Sequence, residues 1–415
     1  MYAHGTMRNN TDLRAALVHR LRRLPRVLVA FSLLGLSACS HLSTPPGQTP
    51  DPEEARLEAA ANAMPDVLGD VRLLDDMVAA VARARSHAAA KAAVSDMGLG
   101  LWNDAVARVQ AGQLDDRPLY WQRLYLNRSL RGATFGYPIT PAQRHELIEL
   151  HETASRGQSS LNLTGHLQHG AQRVVVTGFD PFLLDRNLKQ VNPSGVVALS
   201  LDGRVMESGV VIETAMMPVR YGDFDEGEVE GILAPVYANS LAAMVVTVSM
   251  GRDHFDLERF PGLRRSATAP GNRNVLSGGS AENPVVPRYL PRYAPRAEFV
   301  EFSLPAQAML EAEGAYEVRI NSRVATLESG EFEAANLAAL QGQTAVRGGG
   351  GGYLSNEISY RSINLREHLR SEIPTGHIHT PRIVDDQPGP ITDIVRQTTL
   401  LIQLAIEALD VPGTE

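Results

Sequence analysis

Two short apolar runs stand out between positions 173 and 248. Arg173-Val174-Val175-Val176-Thr177-Gly178 and Ala242-Ala243-Met244-Val245-Val246-Thr247-Val248 are of strand length, and neither alternates with polar residues. That pattern predicts strands buried on both faces, as in a parallel sheet. Val318-Arg319-Ile320 predicts a further strand, and apolar residues at Ile391, Ile394, Val395, Leu401, Ile402, Ala405 and Leu409 predict an amphipathic helix. Strands alternating with helices across residues 170–415 predict an α/β domain, a three-layer α/β/α arrangement around a mostly parallel sheet. Residues 323–352 break this rhythm with a polar, alanine-containing stretch ending in five glycines, Gly348 to Gly352. A flexible insertion leading into the next helix is expected there. No Lys-Ser/Thr follows the glycines, so they do not form a phosphate-binding loop.

Upstream, the pattern is helical. Val67, Val71, Leu74, Val78 and Val81 recur at helical spacing within residues 55–165, predicting an all-helical region ahead of the α/β domain. Asp116 followed by Pro118 reads as a helix start, and Pro138 and Pro141 set off another helix over residues 144–154. Tyr120, Trp121 and Tyr125 at helical spacing are expected in the core. Glycine, serine and asparagine near residues 157–165 mark the junction.

The N-terminus has another character. Arg8, Arg14, Arg20, Arg22, Arg23 and Arg26 precede the apolar run from Val27 to Leu36, which is too short to span a bilayer and suits an export signal over residues 1–38. Leu36-Ser37-Ala38-Cys39 resembles a lipobox, which implies lipidation of Cys39; an ordinary export signal is the alternative. Residues 39–54, with four prolines, then form a tether expected to be disordered. The expected location is the bacterial cell envelope, with the protein exported and held to a membrane by its lipid on the periplasmic or extracellular side. Residues 1–38 carry six Arg and one Asp, so the net charge of −8 becomes −13 without them. So acidic a body argues against a nucleic-acid partner. Cys39 is the only cysteine, so the body can form no internal disulfide and offers no thiol nucleophile.

Four short motifs carry the candidate chemistry. Thr177-Gly178-Phe179-Asp180-Pro181-Phe182, followed by Val191-Asn192-Pro193-Ser194, closes the first predicted strand, where open α/β sheets place ligands. Phe179 and Phe182 on that loop could sandwich a small flat ring, or could simply close the loop over the core. Gly251-Arg252 leads to Glu258-Arg259. Gly351-Gly352-Tyr353-Leu354-Ser355-Asn356 precedes Tyr360, and Gly376-His377-Ile378-His379-Thr380-Pro381 comes last. Taken singly, His379 reads as a structural histidine and Glu258 as a partner of Arg259.

In this order the motifs resemble those of pyroglutamyl peptidase type I, the pyrrolidone-carboxylate peptidases, over residues 172–410. The resemblance implies an enzyme that removes an N-terminal pyroglutamyl group from peptides without a cofactor, using a Cys-His-Glu triad. It implies Glu258 as the acid that orients the imidazole, His379 as the general base, and Ser355 at the position of the family's cysteine. Phe179, Phe182, Tyr353 and Leu354 would line the pocket for the lactam ring.

The chain departs from that pattern in places. Serine replaces the nucleophilic cysteine, and a hydroxyl needs concerted deprotonation where a thiol ionises readily. Thr247-Val248-Ser249-Met250 replaces a glycine-rich Gly-Gln-Ala-Gly approach, and Thr268 stands where an arginine is usual. His377 beside His379, with His254, raises the question of a metal, but no ligand set at metal spacing completes it. Two readings follow: a hydrolase of N-terminally blocked peptides or related lactams and amides, working through Ser355, His379 and Glu258, or a catalytically inactive module of the same fold that binds a small peptide. Docking of a partner to the helical region is a third.

Overall fold

The structure is a computed structural model, and it describes residues 51–161, 172–383 and 388–410. The export signal, Cys39 and residues 40–50 lie outside the described residues, as does the junction from 162 onward. The described residues form one compact unit.

Eleven α-helices and nine strands are described. The helices are α1 (Leu57–Ala63), α2 (Val71–Ala82), α3 (His87–Gln110), α4 (Arg117–Gly132), α5 (Pro141–Ala154), α6 (Pro193–Leu201), α7 (Tyr221–Asp225), α8 (Glu228–Ala238), α9 (Ala306–Met309), α10 (Leu354–His368) and α11 (Pro388–Asp410). The strands are β1 (Arg173–Phe179), β2 (Val211–Met217), β3 (Met244–Met250), β4 (Phe255–Glu258), β5 (Val318–Asn321), β6 (Arg323–Thr326), β7 (Gly330–Glu333), β8 (Ala345–Arg347) and β9 (Thr375–Thr380).

The main sheet has the order β2-β1-β3-β9-β4-β5. Its first four strands are parallel, and β4 turns antiparallel to β9 while remaining parallel to β5. The expected α/β architecture is therefore correct, with one reversal near the edge. Val174, Val175 and Val176 are all buried because helices cover both faces. On one side α7, α8 and α10 supply Phe224, Val229, Leu233, Tyr237, Leu354 and Ile358 to a cluster containing Val175 and Val245. On the other, α6 lies against β1 and β2 and is covered in turn by α3 and α11.

The helical region is built into this body. In α4 the Asp116 side chain does not cap its own helix but accepts from the Asn192 N–H, and Trp121 is fully buried. Thr140 and Gln143 form a reciprocal capping box that starts α5.

Two expectations fail. Residues 51–54 belong to the folded body and not to a disordered tether, because Glu53 is buried, accepting from Tyr120 at 2.9 Å and from Arg220 at 2.5 Å. A buried carboxylate is held in place by such partners. Residues 323–347 are likewise no flexible insertion: β7-β6-β8 form a small antiparallel sheet that packs Val324 and Ala345 on Phe260 and Phe299. Its strands are only three or four residues long and β7 is largely exposed, so the apolar signal was thin.

Candidate functional site

The site lies where β1, β3 and β9 end. Alternation along β9 puts His377 and His379 on the same face, with ring centroids 4.9 Å apart at 89°. The antiparallel pairing sets Asp256 of β4 opposite His379, which brings Glu258, two residues on, within diagonal reach. His379 Nδ1 then meets Glu258 Oε1 at 2.5 Å, with both residues buried. The other carboxylate oxygen accepts from Asn321 Nδ2 at 2.8 Å, and the same amide donates to the Gly349 carbonyl at 3.1 Å. Both oxygens of Glu258 are thus fixed, leaving Nε2 of His379 as the nitrogen not engaged by the acid.

The glycine run explains itself here. A Cβ at Gly349 would lie 2.4 Å from Glu258 Oε2, and one at Gly348 would lie 2.1 Å from Asn356 Oδ1. The backbone has to pass this close to carry the chain from β8 into α10. Asn356 ties the start of α10 to the segment after β4, accepting from the Gly262 N–H at 2.8 Å and donating to its carbonyl at 2.7 Å. Strand and helix are thereby locked together, and Ser355 comes to line the same cleft as His379 and Glu258. No side chain caps the start of α10, so its first N–H groups stay available to an anion.

The cleft holds about 500 Å³ and is bordered by Phe182, Met250, Arg252, Asp256, Gly350, Tyr353 and β6–β8. Behind Ser355 lies a smaller cavity of about 20 Å³, lined by Phe179, Phe182, Val219, Ser249, Met250, Tyr353 and Leu354. The four aromatic and apolar residues expected around a ring therefore meet at one point. Phe182 and Tyr353 stack at 6.2 Å, half-buried, and form its outer wall. Phe179, stacked on Phe224 at 6.2 Å, and Leu354 are core residues that form its floor. Such a volume holds little more than a water.

The electrostatics separate the two histidines. His377 is fully buried, and burial, with the neighbouring His379, drives its pKa well below the usual range; it is neutral. Its Nδ1 pairs with Thr247 Oγ1 and its Nε2 with Ser249 Oγ, each at 2.7 Å. Both nitrogens being bound to hydroxyls, His377 has no lone pair to give a metal. Asp256 is raised by burial and by Glu258, against the opposing influence of His254 and His379.

Sequence reasoning did not find Asn321, nor the hydroxyl partners of His377. Asn321 immediately follows the expected strand Val318-Arg319-Ile320, and a polar residue at the carboxyl end of an α/β strand was the available signal. Thr247 and Ser249 were noted as departures from a family pattern, and their partner is His377. Thr268 is exposed.

The fold and this cluster define an α/β protein whose sheet ends in a buried His-Glu pair beside a serine at a helix start. Residues 37–152 match the family described as PA0049 N-terminal domain, and residues 173–308 and 321–384 match that described as PA0049, C-terminal domain. A protein of Pseudomonas aeruginosa described as "Uncharacterized protein PA0049" is 31% identical over 388 residues, spanning 71% of this chain and 70% of that protein. The chain belongs to the PA0049 family. The matched stretches include both the helical region and β6–β8. Among solved structures, a mutant pyrrolidone carboxyl peptidase from Pyrococcus furiosus is similar at 20% identity, covering 57% of this chain and 100% of that one, with a TM-score of 0.41. The same enzyme, solved together with its cysteine-free mutant, is similar at 19% identity with the same coverage and a TM-score of 0.41.

Proposed function

We propose that the cleft is a hydrolytic site that removes an N-terminal pyroglutamyl group, or a related lactam or amide, from small peptides. The observation that carries this reading is the His379–Glu258 contact at 2.5 Å in a cleft that Ser355 also lines. In it, Glu258 holds the Nδ1–H tautomer, so Nε2 is the basic nitrogen. His379 takes the proton of Ser355 as Oγ attacks the acyl carbon, and returns it to the departing amine. The first N–H groups of α10 face the oxyanion as it forms. Water, deprotonated by the same imidazole, then frees the acyl group from Ser355. Phe179, Phe182, Tyr353 and Leu354 hold the ring, while the 500 Å³ cleft takes the peptide beyond the scissile bond. The four motifs in matching order support the same reading.

A second reading, a peptide-binding module without turnover, is favoured by one feature: Ser355 Oγ makes no hydrogen bond to His379 among the described residues. Release of a chromophore from a pyroglutamyl amide, abolished in Ser355→Ala, supports the hydrolase. Binding of a pyroglutamyl peptide without release supports the module. On either reading we propose an exported protein, tethered to a bacterial membrane by lipid on Cys39.

A further inference from the structure

Ser249 is committed on one side and open on the other. It lines the small cavity behind Ser355 and is itself almost fully buried, while its Oγ sits 2.7 Å from His377 Nε2. Ser355 also borders that cavity as the candidate nucleophile, and the two remaining polar groups around it are engaged elsewhere. Asn192 donates to the Asp180 carbonyl and accepts from Ser194, and the Tyr353 hydroxyl donates to the Pro270 carbonyl.

The direction of the Ser249 hydrogen follows from the other end of the chain. Thr247 Oγ1 lies 3.2 Å from the Gly376 carbonyl, to which it donates, and 2.7 Å from His377 Nδ1. A hydroxyl has one hydrogen. If Thr247 gives it to Gly376, then Nδ1–H donates to Thr247, Nε2 is an acceptor, and Ser249 must donate to Nε2. All three contacts are then hydrogen bonds, whereas the opposite tautomer satisfies only two. The fully bonded arrangement leaves Ser249 Oγ with lone pairs alone to offer the cavity.

We propose that Ser249, fixed as a pure acceptor by Thr247 and His377, selects a ring N–H on the acyl side of the substrate. The substrate class is thereby narrowed to cyclic secondary amides such as five-membered lactams, against carbocyclic rings of the same shape. This rests on the cleft being the acyl-binding site proposed above, but it concerns binding and not turnover. A buried acceptor left without its donor costs more than a hydrogen bond gains, which is why such a site discriminates.

The test is calorimetric titration of the intact protein with 5-oxoproline and with 3-oxocyclopentane-1-carboxylate, which replaces the ring N–H by CH₂. The wild-type protein should bind the lactam about ten-fold or more tightly than the carbocycle. Ser249→Ala should bring the two affinities together. Thr247→Val, which frees the imidazole to turn its tautomer over, should narrow the gap while leaving Ser249 in place. Equal binding of both rings by wild-type protein, binding of neither, or discrimination that survives in Ser249→Ala would overturn the proposal. Discrimination without any hydrolysis of pyroglutamyl amides would leave it standing and remove the hydrolase reading instead.

Discussion

Arg123, on α4 of the helical region, meets Asp180 of the loop after β1 at 2.8 Å, both residues fully buried. Arg156 reaches the second carboxylate oxygen at 2.7 Å, and burial with two guanidinium neighbours sets the balance, which leaves Asp180 below the usual carboxylate range. The loop they grip continues into Phe182, the wall of the candidate ring pocket. Asn272 fixes the next peptide by donating to the Pro181 carbonyl at 2.8 Å. The helical region is thus a structural member of the site.

Removing Arg123 leaves a buried carboxylate with half its partners. Arg123→Ala should destabilise the protein by about 3 kcal/mol in denaturant titrations, as expected when a buried ion pair is broken from one side. Arg72→Ala, which removes an exposed partner of Asp70, should leave the midpoint unchanged. A small loss in Arg123→Ala would mean that Asp180 is reached by water.

Asn321 holds the oxygen of Glu258 that His379 does not use. Asn321→Ala should cut kcat by about ten-fold with KM little altered, because it loosens the acid without touching the ring pocket. Steady-state kinetics on a pyroglutamyl amide give the split, and a change confined to KM would place Asn321 in substrate binding instead.

Gly349 and Gly100 test the glycine argument in opposite directions. Gly349→Ala places a methyl against Glu258 Oε2 and should cost about 1–3 kcal/mol while abolishing turnover. Gly100 lies within α3 with nothing near its absent side chain, so Gly100→Ala should stabilise by about 0.5–1 kcal/mol. Thermal or urea unfolding reads both; a neutral Gly349→Ala would show that the backbone passes the acid at a greater distance.

Part of the pH dependence can be assigned through His151, which is fully buried. Its Nδ1 contacts Asn127 Oδ1 at 2.6 Å, and its Nε2 has no partner among the described residues. Burial lowers its pKa to about 3, with Arg123 and Arg156 adding to the shift and Glu152 opposing it. Above pH 6.5 the residue is neutral in both folded and unfolded chains, and its contribution is complete. As the pH falls from 6.5 towards 3 the unfolded chain binds a proton that the folded one refuses, so stability drops by about 1.4 kcal/mol per pH unit. His151→Gln should flatten the slope of unfolding free energy against pH by that amount over the window. An unchanged slope would mean that the folded protein protonates His151.

What the sequence disclosed divides by range. β1 and β3 were visible because their own residues are mostly apolar, β5 from Val318 and Ile320 on either side of Arg319, and α11 because its spacing is helical over more than five turns. Glu258, Ser355 and His379 were named from short motifs, and the structure brings them to one cleft. β4 was hidden, since Phe-Asp-Leu-Glu is too short to signal a strand, and its antiparallel register is what carries Glu258 to the imidazole. The Glu53–Arg220 and Arg123–Asp180 pairs join residues far apart in sequence, and no local pattern announces which charges will be buried together. The hydroxyl–imidazole–hydroxyl chain of Thr247, His377 and Ser249 was hidden for the same reason, because it exists only once β3 lies beside β9.

The serine itself admits a direct comparison of oxygen with sulfur. A thiol beside an imidazole ionises readily, whereas a hydroxyl must lose its proton as it attacks and so depends on a short, aligned contact with Nε2. Ser355 has no such contact to His379 among the described residues, so the geometry is closer to what a thiolate tolerates. If Glu258, Asn321 and His379 are otherwise competent, Ser355→Cys should hydrolyse pyroglutamyl amides at least as fast as wild type and be inactivated by iodoacetamide, to which wild type is indifferent. The body of the protein has no other cysteine, so alkylation of the folded domain reports on position 355 alone. Activity in Ser355→Cys but none in wild type would make this chain a binding module with an intact catalytic frame. Strong activity in wild type and little in the cysteine variant would mean that the cleft tightens around substrate to bring Oγ to His379, and that it is shaped for a hydroxyl.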